Sequence, residues 1–177
     1  MTAFIRLFRS LAGSAAAEMA LVAPMLLLLL FGSVEVGKYF MDEHIVVKAV
    51  RDGARFAARQ QMTNFITTAG VCQSAPLGSV VANTKSLVRT GNTAGTGTRL
   101  SYWTDDSTVT ITSACYAQKG GQDMAGIYGG VTYNGAAVGA PVVTVSATVP
   151  YQPLLGLFGI IGGSNLVATE QAAVTGV

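Results

Sequence analysis

The chain predicts an α+β fold: a long N-terminal transmembrane helix that continues outward into a small antiparallel β-sheet domain. Three observations predict it. Residues 13–37, GSAAAEMALVAPMLLLLLFGSVEVG, hold a long apolar run. Residues 41–62 then repeat apolar side chains at helical three- and four-residue steps. From Gly70 the composition turns to Thr, Ser, Val and Gly with alternating stretches that read as strands. At 177 residues, one folded domain beside the helix is the natural count.

The apolar run comes first. Residues 19–34 carry no charge and make roughly 24 Å of helix at 1.5 Å per residue, against a hydrocarbon core of about 30 Å. Extending the helix over residues 14–37 reaches roughly 36 Å and takes in Glu18 and Glu35 near its two ends. Arg6 and Arg9 precede the run, with no acid before Glu18. That bias predicts a cytoplasmic N-terminus and an extracytoplasmic remainder. A cleaved secretory signal, the competing reading, has its small residues after the apolar stretch; here residues 12–17, AGSAAA, precede it. Pro24 removes a backbone donor within the span and predicts a kink, while Gly32 and Gly37 offer close-packing spots for another helix.

Gly13 followed by Glu18, then Ala20-Leu21-Val22-x-Pro24 and a leucine run ending in Gly32-x-x-Glu35-x-Gly37, resembles the TadE-like proteins. These are pseudopilins, or minor pilins, of the tight-adherence (Tad/Flp) branch of the type IV pilus machinery. The likeness continues through residues 49–57, AVRDGARFA, which look like the family's Arg-x-Gly-Ala-Arg stretch; beyond residue 60 it is one of size and composition. The resemblance implies a pilin-like fold, with a prepilin peptidase, the pilus assembly machinery and other pilin-like subunits as partners beside the membrane. It also implies cleavage after Gly13, leaving Ser14 as the new N-terminus and Glu18 as the fifth residue. Where the family often has Phe or Tyr after that glutamate, this chain has Met19.

Glu18 carries a physical argument of its own. A carboxylate near hydrocarbon costs a few kcal/mol at the centre of a bilayer and less toward its edge, so such residues invite a functional reading. Its natural partner is the amine freed at Ser14, four residues upstream on the same helical face, or that of a neighbouring subunit. The plainer reading leaves Glu18 among lipid headgroups with no specific role. Glu18 and Pro24 are the assembly candidates of the span, and Glu35 reads as an interfacial residue.

Past the span, Met41, Ile45, Val46, Val50, Ala54, Ala57, Ala58 and Met62 form an amphipathic pattern to about residue 65. Arg51, Arg55 and Arg59, at i, i+4 and i+8, make a basic stripe. A solvated face is the preferred reading; a docking stripe for an acidic partner is the alternative. Cys72 and Cys115, the two cysteines, fall in the extracytoplasmic part and read as one disulfide. Two buried free thiols are the alternative, and a metal site is disfavoured because His44 is the lone histidine and far from both in sequence.

The remaining elements are a short helix over 79–90, a flexible loop over 91–98, and strands over 108–115 and 142–149. Residues 100–104 and 166–174 are weaker strand candidates, and 120–139 reads as an irregular or hairpin-like insertion. Residues 151–163, YQPLLGLFGIIGG, are too short and glycine-rich for a second span. They either cover the sheet's core or form an exposed patch that meets the membrane or another subunit.

Charge excludes some functions. The formal net charge of +2 is that of Arg6 and Arg9, so a chain without residues 1–13 is neutral. Beyond residue 60, Lys85, Arg89, Arg99 and Lys119 balance Asp105, Asp106, Asp123 and Glu170, leaving no footprint for nucleic acid. No Gly-x-Ser-x-Gly, P-loop or Cys/His pairing occurs, and the chain reads as no enzyme, with no cofactor. The expected organisation is a cleaved cytoplasmic leader (1–13), a transmembrane helix (14–40), its extracytoplasmic extension (41–65) and an extracytoplasmic α+β domain (66–177). The expected function is that of a pseudopilin or minor pilin in Tad/Flp pilus assembly, single-pass in the inner membrane. The alternatives are an uncleaved bitopic protein scaffolding a secretion or envelope complex, and a tethered ligand-binding or enzymatic domain.

Overall fold

The structure, a computed structural model, describes residues 11–67, 71–116, 132–133, 136–137, 139–154 and 163–176. Helix α1 (Leu11–Ala58) is followed by a 3-10 turn (Met62–Asn64) and helix α2 (Val80–Thr90). A second 3-10 turn (Asp106–Thr108) leads into β1 (Val109–Tyr116); β2 (Thr132–Tyr133), β3 (Ala136–Ala137), β4 (Ala140–Pro150) and β5 (Asn165–Ala173) complete the order. Strands β1, β4 and β5 form one antiparallel sheet in the order β1-β4-β5, and β2 pairs with β3 apart from it. The α+β class and the long N-terminal helix are as expected.

Alternation explains the sheet. In β4, Val143, Val145, Ala147 and Val149 point inward, and the register sets Val109 and Ile111 of β1 and Leu166 and Ala168 of β5 on the same face. Period-two patterning buries one face and leaves Thr110, Thr112, Thr148 and Thr169 on the other. The inner face lies on the second half of α1, where Val46, Ala49, Val50, Ala54 and Ala57 are buried at helical spacing. Small side chains on the helix bring it close to the sheet.

Helix α2 crosses α1 at Gly53. A Cβ built there would lie 2.3 Å from Val88 Cγ2, closer than real Cβ contacts come, so any larger residue forces Val88 or a helix to shift. Helix α2 ends on Gly91, whose φ of 89° is left-handed and whose N–H closes on the Leu87 carbonyl.

Two expectations are corrected. Residues 100–104 form a turn, not a strand: Trp103 N–H donates to Leu100 O at 3.0 Å, and the indole is buried with its Nε1–H donated to Thr108 Oγ1. Helix α1 stops at Ala58, short of residue 65, because the Ala58 carbonyl accepts the Thr175 N–H at 2.9 Å, which holds the C-terminal tail over the helix end. Most of the expected 120–139 insertion, and the 155–162 part of the apolar segment, lie outside the described residues.

Candidate functional site: the anchor helix and its clasp

Helix α1 is one element with two environments. Over residues 15–34 nearly every side chain is exposed, Met19 at 66% and Leu29 at 71% among them, and none of the most apolar window is buried in the molecule. Those residues measure roughly 30 Å at 1.5 Å per residue, the thickness of a bilayer's hydrocarbon core. Among the described residues this is the one helix long and apolar enough to cross a membrane. The backbone is helical through Gly13 and Ser14, Glu18 is exposed one turn further on, and the helix continues through Pro24.

The second environment begins at Glu35. Its carboxylate accepts the Tyr151 hydroxyl at 2.5 Å and the Leu154 N–H at 3.1 and 3.2 Å. One turn on, Lys38 pairs with Asp42 (Nζ to Oδ2, 2.5 Å), donates to Gln152 O at 3.4 Å, and lies 5.3 and 5.1 Å from the Tyr102 and Tyr151 ring centroids. Tyr102 in turn donates its hydroxyl to Asp42 Oδ2 at 2.7 Å. Glu35, Lys38 and Asp42 are spaced i, i+3 and i+7, so they share the face of α1 that the domain covers. Two tyrosines from distant loops close over this row and clasp the domain to the helix where the apolar half ends.

Partial burial and charge-assisted bonds set the electrostatics. Burial pushes the Tyr102 hydroxyl far above the ordinary phenol range, and its hydrogen bond to Asp42 reinforces the shift. Tyr151 is raised in the same way, by burial first and then by its bond to Glu35. Both phenols are held as donors, which a carboxylate acceptor requires.

Further along α1, the Arg51-Asp52-Gly53-Ala54-Arg55 stretch divides by face. Asp52 pairs with Arg99 (Oδ2 to Nη2, 3.0 Å), Gly53 makes the α2 crossing and Ala54 is in the core. Arg51, Arg55 and Arg59 are all exposed in one row, with His44 and Lys48 continuing it toward the span. Arg51 has Glu170 of β5 at 3.9 Å, with both side chains well exposed. Cys72 and Cys115 are paired, with a Cα–Cα distance of 6.0 Å that suits a disulfide. The pair ties β1 to the segment after α1, where Ser113 N–H also donates to Ser74 O and Ser113 Oγ to Gln73 O. Among the described residues no group of three or more His, Cys, Asp or Glu could hold a metal ion.

Sequence reasoning located the exposed half-helix, the arginine row and the cysteine pair, and it gave Glu35 too little weight. The signal present was the Glu35–Lys38–Asp42 spacing, a charged stripe beside an apolar run. Its partners lie 60 and 116 residues away along the chain, where no local pattern points to them.

No curated protein and no solved structure matches this chain. Residues 13–55 match the family model described as TadE-like protein. The match takes in the exposed half-helix, the helix side of the clasp and the Gly53 crossing, and it suggests a Tad pilus-related membrane protein. Over these residues, from Gly13 to the end of the Arg-x-Gly-Ala-Arg stretch at Arg55, the chain is similar to the TadE-like proteins.

Proposed function

We propose that this protein is a membrane-anchored pseudopilin or minor pilin that takes part in assembling a Tad/Flp-type pilus. The observation that carries the reading is the division of α1: residues 15–34 are apolar and exposed, while the half from Glu35 onward is locked into a folded domain. Such a half-helix suits lipid before assembly and neighbouring helices after it, because packing between apolar helices rests on shape and van der Waals contact. In this reading a prepilin peptidase removes residues 1–13, Glu18 pairs with the new amine at Ser14, and the domain lies in the periplasm.

The exposed arginines fit the same picture. Arg51 lies roughly 25 Å beyond residue 34 along the helix axis, and Arg55 roughly 32 Å, well above a headgroup layer about 5–8 Å thick. A solvated face is the plainer reading of that row; as a docking stripe it would meet an acidic protein surface beside the helix, not the lipid below it.

N-terminal sequencing of membrane-extracted protein tests the reading, with Ser14 as the expected first residue. Met19, in place of the family's usual aromatic, favours the second reading of an uncleaved bitopic scaffold, and an N-terminus upstream of Gly13 would select it. A periplasmic reporter fused after Val177 is expected to be active and a cytoplasmic one silent; the reverse would overturn the orientation.

A further inference from the structure

The segment 151–154 runs down α1 toward its apolar half. Tyr151 packs edge-on against Tyr39 with ring centroids 5.2 Å apart, the Gln152 carbonyl accepts from Lys38, and the Leu154 N–H reaches Glu35. Each step along this segment meets a residue nearer the span. At the bottom Leu154 is 60% exposed, level with the first charged residue after the apolar run. Tyr151 N–H donates to Ser164 O at 3.0 Å, which sets both ends of the 151–164 stretch at this level. By sequence that stretch continues with LGLFGIIG, without a charge.

The helix shows the same character at the same height. Val36 and Phe40 are 42% and 54% exposed, and Phe40 stacks edge-on with Tyr39 at 6.0 Å. Tyr151, Tyr39 and Phe40 thus form an aromatic row that passes from the domain side of α1 to its free side. Glu35 to Phe40 spans roughly 8 Å of axial rise, about the depth of one headgroup layer. Tyrosine beside lysine, with apolar side chains below, is the composition that membrane–water interfaces favour.

We propose that this rim of the domain, Leu154 together with Val36 and Phe40 of α1, is seated in the lipid headgroup layer, so that the domain rests on the bilayer instead of being carried above it. The proposal rests on residues 15–34 being the span, with which the rim's apolar surface is continuous. Lipid is the occupant that this continuity selects, because an exposed leucine and phenylalanine at the mouth of a membrane helix meet acyl-chain ends without further partners. The Glu35 contacts then act as a depth stop. They satisfy a carboxylate where hydrocarbon begins and hold Leu154 at the same level.

Site-directed fluorescence tests this on the full chain reconstituted in phosphatidylcholine–phosphatidylglycerol nanodiscs. Leu154→Cys and Phe40→Cys are each labelled with NBD without reductant, leaving the Cys72–Cys115 pair closed. Leu26→Cys serves as the span control and Val167→Cys, on the outer face of the sheet, as the solvent control. At both rim sites, lipids brominated near the headgroup are expected to remove most of the emission, and aqueous iodide much less than at Val167. Iodide quenching at the rim equal to that at Val167 would overturn the proposal. Protection from both quenchers would also overturn it, by showing a protein cover. If the Leu26 label is not quenched by lipid, the span reading itself fails; quenching at Leu26 with a water-exposed rim sinks the rim proposal alone.

Discussion

The Tyr151 hydroxyl and the Glu35 carboxylate meet at 2.5 Å across 116 residues of sequence. This bond joins the end of β4 to the point on α1 where the apolar half-helix ends, and it fixes the domain's height on the helix. Its energetic role is testable. Tyr151→Phe removes the donor and leaves a partly buried carboxylate with the Leu154 N–H, which is expected to lower stability by about 1–3 kcal/mol. Glu35→Gln retains an acceptor and is expected to cost less than Glu35→Ala. Chemical denaturation in micelles gives the values, and a Tyr151→Phe/Glu35→Ala cycle gives their coupling. Additive effects would show that the bond fixes nothing.

The same phenols predict a loss of stability in base. Burial and carboxylate bonds raise the folded-state pKa of Tyr102 and Tyr151 above the unfolded value of about 10. The folded state therefore holds these protons more tightly. Their stabilisation is complete below about pH 10 and is lost as pH climbs above it toward the folded values. Ultraviolet titration of phenolate absorbance is expected to show two of the six tyrosines ionising last, together with unfolding. Tyr102→Phe and Tyr151→Phe should each remove one of these late groups; six tyrosines titrating together would refute the clasp electrostatics.

Gly53 predicts a large effect from a small change. In Gly53→Ala the added methyl meets Val88 Cγ2 at 2.3 Å, so the Val88 side chain or one of the helices must shift, at an expected cost of about 1–3 kcal/mol by overpacking. Combining it with Val88→Ala should recover part of that loss by making room, as thermal unfolding of the two variants would show. A Gly53→Ala protein as stable as the parent would mean that the crossing is looser than its geometry.

Much of this fold was legible because its signals are local. The apolar run, the period-two alternation of β4 and the spacing of Val46, Val50, Ala54 and Ala57 each follow from neighbouring residues, and each lies where its pattern places it. What escaped notice depends on distant chain. The α1 end at Ala58 is set by Thr175, the turn over residues 100–104 by burial of Trp103, and the weight of Glu35 by Tyr151 and Leu154. Gly53 stood in plain view within Arg-x-Gly-Ala-Arg, yet only the position of Val88 gives the reason for a glycine there.

The cysteine pair gives a compartment test as well as a stability test. Thiol labelling of the denatured native protein is expected to fail until reductant is added, since Cys72 and Cys115 are joined over a separation of 43 residues. Cys115→Ser is expected to lower the stability of the folded domain by about 3–4 kcal/mol on the loop-entropy account, an upper value. Membrane insertion should be unchanged, because the exposed half of α1 lies remote from the bond. Ready labelling without reductant would place the domain in a reducing compartment and reverse the orientation with it.

Glu18 and Gly13 separate processing from assembly. Gly13→Leu puts a bulky side chain at the proposed scissile position and is expected to leave the protein uncleaved but inserted, since the apolar residues 19–34 are intact. Glu18→Ala removes a carboxylate from the edge of the span, so insertion should be equal or better. If Glu18 binds the amine of a processed neighbour, the Glu18→Ala protein accumulates in the membrane and pili fail to form. Electron microscopy of surface pili, beside N-terminal sequencing of the membrane pool, distinguishes the steps. A Glu18→Ala strain that cleaves, inserts and piliates normally would remove Glu18 from assembly. Normal piliation by Gly13→Leu as well would leave the uncleaved scaffold as the reading that fits.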